Sequence, residues 1–165
     1  MTSEVDWKPS MAERTILASL CYLRHDHRTL MIHRVKRSGD IHAGKWNGLG
    51  GKFMPGESPE QCVLREVREE SGLEIRLPRL RGLLMFPGFK GDHWYVFVYT
   101  AEEFSGEMHE NEEGYLEWIP DAELPSLPLW PSDRIFFPWL LGERFFSARF
   151  VYEGDAMQSY EVAFY

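Results

Sequence analysis

GKFMPGESPEQCVLREVREESGL, residues 51–73, decides how the rest of the chain is read. Gly51 and Gly72 punctuate its ends, and Glu57, Arg65, Glu66, Glu69 and Glu70 carry its charge. Its middle predicts a helix. Ser58 suits an N-cap, Pro59 the first helical position, and Gln61 stands where a capping box needs it. Gly72 suits the left-handed residue beyond the last turn. On such a helix Glu66, Glu69 and Glu70 are related by steps of three and four and share a face. Cys62, Val63 and Val67 form the opposing apolar surface. Arg65, four residues before Glu69, offsets only part of the negative charge. Like charges on one stripe repel, and a hard cation with oxygen ligands relieves them. Mg²⁺, with Mn²⁺ as its substitute, takes one or two carboxylates and keeps positions for water and phosphate oxygens. A solvated acidic helix face is the plainer alternative.

The bulk composition sets the limits. A length of 165 residues predicts one domain, residues 13–165, after a loose polar tail at 1–12. Apolar residues at 44% and charged residues at 27% describe an ordinary globule. No apolar run reaches the length of a membrane span, and the N-terminus lacks an apolar signal region, so the expected location is cytoplasmic and no membrane partner is expected. Cys21 and Cys62 make neither a zinc set nor a disulfide framework. A net charge of −8 argues against a nucleic-acid polymer as partner. A small anionic substrate remains compatible, provided metal neutralises the site.

The flanks predict strands on both sides of the helix. Residues 15–23 and 29–33 read as a hairpin turning at 24–28. A polar stretch at 36–45 follows, with Arg34, Lys36 and Arg37 available either to phosphates or to solvent. Residues 46–52, WNGLGGK, are glycine-rich, which calls for a tight turn or a close approach; they lack the Ser or Thr of a Walker loop. Beyond the helix, 83–86 and 94–99 read as strands joined at 87–92. An acidic loop at 107–113 leads to a short strand at 115–119 and a brief helical turn at 121–124. Residues 125–131, PSLPLWP, read as rigid and non-helical. A helix at 134–143, capped by Ser132 or Asp133, and strands at 145–152 and 160–165, turning at 153–155, complete the chain.

The spacing Gly51-x5-Glu57-x7-Arg65-Glu66-Val67-x-Glu69-Glu70-x-Gly72-Leu73 resembles the signature of the Nudix hydrolases at every fixed position. The resemblance implies an α/β fold, a mixed sheet sandwiched between helices as αβα, in which a loop-helix-loop binds divalent metal. Residues 44–52 and 129–140 further resemble the MutT-type branch acting on oxidised purine nucleoside triphosphates such as 8-oxo-dGTP. By that resemblance the metal ligands are Glu66, Glu69, Glu70, the carbonyl of Gly50, and Glu113 or Glu112 from the acidic loop. Glu69, Glu70 and Glu113 are the candidates for accepting the proton of the attacking water. Gly51, Glu57, Arg65 and Gly72 shape the motif.

Trp130, held between two prolines, offers a stacking platform for a purine. Asn47 has both donor and acceptor for a base edge. Asp133, Phe86 and His93 are further candidates for the base pocket, and Lys52 for a phosphate. The MutT-type branch usually carries two consecutive Asp after Trp-Pro; here Ser132 stands first, which opens the choice of purine. The rivals are a Nudix hydrolase of another nucleoside diphosphate derivative such as a sugar conjugate, and a non-catalytic nucleotide-binding module. Either a monomer or a homodimer is compatible with this pattern.

Overall fold

In a computed structural model, which describes residues 13–36, 38–109 and 111–165, strand β1 (Thr15–His25) runs through the middle of the sheet. Its side chains alternate between two cores, as a pleated strand requires. Tyr22 packs with one cluster, Cys21 and Leu23 with the other. The turn after β1 is narrower than 24–28: Asp26 and His27, both at positive φ, carry it alone. Strand β2 (Arg28–His33) follows.

The glycine-rich stretch, read as a tight turn or a close approach, contains two short strands, β3 (Trp46–Asn47) and β4 (Leu49–Lys52). The close approach inferred for it is there. A Cβ on Gly50 would stand 2.0 Å from the backbone oxygen of Ser19 on β1. Helix α1 (Pro59–Ser71) has the ends the sequence predicts: Ser58 and Gln61 form both bonds of the capping box, and Gly72 lies at φ 78°.

Strand β5 (Glu74–Arg76) leads to β6 (Arg79–Phe89) and β7 (Asp92–Ala101), which run further than 83–86 and 94–99. They reverse at Lys90 and Gly91. Pro87 and Gly88 sit at a break in the β6–β7 register, so the proline is spared a ladder hydrogen bond. Among the described residues, strand β8 (Glu103–Ser105) pairs only with β5. Strand β9 (Tyr115–Pro120) precedes a 3₁₀ helix at Asp121–Ser126, which takes in Pro125 and Ser126. The rigid segment is therefore shorter than 125–131.

Helix α2 (Pro131–Leu140) starts three residues before position 134, with Trp130 at its N-cap and no side-chain cap. Ser132 and Asp133 are not caps; they lie inside the first turn. Pro131 fixes the start, and the Tyr152 hydroxyl accepts the Ser132 N–H at 2.9 Å in place of a cap. Strands β10 (Phe146–Glu153) and β11 (Ala156–Phe164) close the chain, turning at Gly154–Asp155.

The strands run β11-β10-β6-β7-β1, with β1–β7 and β6–β10 parallel. Beyond β1 the sheet divides. Residues Ala18–Cys21 of β1 pair with β4, whereas Arg24 and His25 pair with β2, which continues to β3 and β9. Helix α1 packs Val63 and Val67 on one face with Leu23, Leu49 and Tyr99; α2 packs Phe136 and Leu140 on the other with Tyr22, Phe146 and Phe150. This is the predicted αβα sandwich. Cys21 and Cys62 are both free and fully buried, and the Cys62 Sγ lies 3.1 Å from the Ser19 hydroxyl. No helix of the described residues is long and apolar enough to cross a membrane.

Candidate active site

The loop before α1 is held by Glu57 and Arg65. Glu57 accepts the Met54 N–H at 2.7 Å and receives the Arg65 guanidinium on both oxygens. That pairing holds the Glu57 carboxyl down at about 2, chiefly through the Arg65 hydrogen bond, and raises Arg65 further. Arg65 also bonds the carbonyl of Lys52 at 3.1 Å, which ties the helix to β4. Its remaining reach goes to Glu66 at 2.7 Å and Glu69 at 3.1 Å. Gly51 leaves room for this cluster: a Cβ there would lie 2.5 Å from the Glu66 carboxylate.

Glu70 faces inward. It is 6% exposed, its Oε1 accepts the Gly50 N–H at 3.3 Å, and its Oε2 has no hydrogen-bond partner. Burial pushes its carboxyl well above the ordinary range, and repulsion from Glu113 and Glu66 adds to the shift. Glu113 comes from the acidic loop, and Asn111 anchors that loop. The Asn111 amide donates to the Glu70 carbonyl at 2.8 Å, while its oxygen accepts the N–H groups of Glu113 and Gly114. Sequence reasoning passed over Asn111; its place two residues before Glu113 was the available signal. Glu112, the alternative to Glu113, is exposed.

The fold thus gathers Glu66, Glu70, Glu113 and Gly50. Glu69 stands apart, 53% exposed and paired with Arg65. Among the described residues no three acidic, His or Cys side chains converge as a closed ligand set. The donor set nevertheless fits a hard divalent cation: a buried carboxylate oxygen with no donor, beside two further carboxylates, is stabilised by a cation with oxygen preference.

On the neighbouring wall the Trp130 ring is 5% exposed. Phe89, Tyr152 and His42 meet it edge-on, and its Nε1 donates to His42 Nδ1 at 2.8 Å. The ammonium groups of Lys45 and Lys90 lie 4.7 and 5.9 Å from the ring centroid. Burial lowers His42 to about 4. Asn47, on β3, has a buried Nδ2 without a partner. Asp133 is buried, and desolvation pushes its carboxyl up to about 7. The Ser132 hydroxyl is taken by the Tyr152 hydroxyl, which donates to it at 2.8 Å. Phe86 stacks on Phe150 and also meets Tyr152. His93 turns to Gly88 and Glu13. Lys52 lies exposed over Trp94.

The family model described as the NUDIX domain matches residues 14–140. The chain belongs to the Nudix family. An uncharacterised Nudix hydrolase of Bacillus subtilis (strain 168) is 33% identical over 138 residues, covering 80% of this chain and 84% of that protein. An oxidized purine nucleoside triphosphate hydrolase of Mus musculus is 35% identical over 123 residues, 73% and 78% of the two chains. A CTP pyrophosphohydrolase of Escherichia coli (strain K12) is 29% identical over 111 residues, 67% and 80% of the two. Among solved structures, a MutT protein from Bacillus halodurans superposes with a TM-score of 0.80 at 30% identity, over 89% of this chain and 97% of that one. The molecule is a MutT-type Nudix hydrolase, a pyrophosphohydrolase of a family that generally uses divalent metal ions.

Proposed function

We propose that this Nudix hydrolase uses Mg²⁺ to cleave oxidised purine nucleoside triphosphates such as 8-oxo-dGTP, giving a nucleoside monophosphate and pyrophosphate and so clearing the nucleotide pool. One observation carries the reading: the buried, unpartnered oxygen of Glu70 lies in a carboxylate cluster that a chain of contacts joins to the aromatic wall around Trp130. The name of the Mus musculus relative supports the same substrate class.

In this reading Glu66, Glu70, Glu113 and the Gly50 carbonyl would hold the metal, and Glu69 would join them by leaving Arg65. A bound divalent ion would neutralise the phosphates and make water a better nucleophile. Glu69, Glu70 or Glu113 would accept the proton of the attacking water. Glu57 and Arg65 keep the loop in shape. Trp130 stacks on the purine, Asn47 offers its free N–H to the base edge, and Asp133, protonated below about pH 7, offers an O–H beside it. Lys52, exposed at the end of β4, reaches toward the phosphates.

Ser132 favours a second reading. Its hydroxyl is committed to Tyr152, which leaves Asp133 as the carboxyl of the pair. A different base, or a nucleoside diphosphate derivative, is then the alternative substrate. Nucleoside monophosphate release from 8-oxo-dGTP, 2-hydroxy-dATP, dGTP and an ADP-sugar, compared in Mg²⁺, separates the two. The first reading expects an oxidised purine to lead; ADP-sugar cleavage at a higher rate would overturn it.

A further inference from the structure

Arg34 follows directly on β2 and was read from the sequence as a basic residue open to phosphates or solvent. In the fold its side chain is 15% exposed and committed to two carboxylates. Nη1 lies 3.1 Å from Glu113 Oε2, and Nε donates to Asp40 Oδ2 at 2.7 Å. Asp40 uses its other oxygen to accept the His42 N–H at 2.9 Å. His42 in turn accepts the indole N–H of Trp130. The Arg34 carbonyl accepts the Gly44 N–H at 2.8 Å, which brings Arg34 and Gly44 together. A single guanidinium thus stands between the carboxylates around Glu70 and the aromatic ring on the other wall. A planar fork serves two carboxylates at once in a fixed orientation, which the point charge of a lysine does not.

We propose that Arg34 is a positioning residue for the hydrolysis: it sets Glu113 beside Glu70 and, through Asp40 and His42, sets the indole of Trp130, so that one side chain holds both walls of the site in register. The proposal rests on the pyrophosphohydrolase reading for its effect on turnover, but two of its consequences are visible without turnover. Outer partners of metal ligands typically change metal affinity by 10- to 100-fold when removed. Arg34→Met is therefore expected to weaken Mn²⁺ binding, followed by calorimetry without nucleotide, by at least about ten-fold. The same variant is expected to move the Trp130 indole N–H resonance, assigned with Trp130→Phe, in metal-free protein. In Mg²⁺ it raises both the metal concentration for half-maximal rate and the KM for the best nucleotide. Arg34→Lys recovers part of the Mn²⁺ affinity and leaves the indole resonance displaced.

Asp40→Asn provides the same test if Arg34→Met does not fold. It touches only the far side of the guanidinium, yet is expected to weaken Mn²⁺ binding several-fold. Unchanged Mn²⁺ binding in a folded variant at either position would overturn the proposal. So would a raised KM with unchanged Mn²⁺ binding and an unmoved indole resonance, which would make Arg34 a direct phosphate contact. A wild-type protein that releases no pyrophosphate defeats the functional reading instead, and the calorimetric and resonance readouts still decide this one.

Discussion

Glu70 carries a charge that the fold resists when no cation is bound. Burial and the nearby carboxylates of Glu113 and Glu66 all favour its neutral form. Glu70→Gln keeps an acceptor for the Gly50 N–H and removes the repulsion. The variant is expected to melt at a higher temperature than wild type in chelator, and to lose about 10²-fold or more of its rate of pyrophosphate release. Asp133 makes a second prediction at this scale. Its folded-state carboxyl at about 7 lies above the ordinary 3.8, so the folded chain keeps the proton longer than the unfolded chain does. The resulting stability is fully present below pH 3.8 and is lost as pH rises through 7. Asparagine has no such slope. The melting temperature of Asp133→Asn relative to wild type should climb between pH 4 and 8, at a limit of about 1.4 kcal/mol per pH unit. A flat difference would place the Asp133 carboxyl in water.

Helix α1 was legible to the residue because its signals are local. Ser58, Pro59, Gln61 and Gly72 each act within one turn of the backbone they satisfy. Ser58→Ala should cost about 1 kcal/mol in a denaturant melt without altering KM, since only the cap is lost. Helix α2 was less legible, because its first amide is satisfied by Tyr152, twenty positions away in sequence from Ser132. Strands β3, β4, β5 and β8 escaped for a different reason: two to four residues, some of them glycine, carry no period to read. Their existence depends on what they meet. Gly50→Ala tests this directly, since the added methyl would overlap the Ser19 carbonyl and part β4 from β1. Loss of the folded melt, or of metal binding with the fold retained, is the expected result.

At the scale of the whole molecule, the carboxylate stripe and the base-side residues Asn47, Trp130 and Asp133 were named from sequence. What joins them was not. The links from Glu113 through Arg34, Asp40 and His42 to Trp130 form only when these five residues, from stretches far apart in sequence, have come together. The same assembly buries Trp130, so Trp130→Ala removes packing as well as the proposed platform. It should cost about 3–5 kcal/mol of stability, and its effect on nucleotide affinity is to be measured well below its melting temperature. Trp130→Phe keeps a ring against Phe89 and Tyr152 and should retain most of that stability while losing the bond to His42.

The two thiols have a practical consequence. Burial favours the protonated form of both Cys21 and Cys62, and peroxide attacks the thiolate. Oxidant at neutral pH should therefore register as mass added at surface methionines such as Met54 and Met108, while the cysteines stay intact and turnover continues. On the proposed function, the catalyst would keep working under the very stress that generates its substrates.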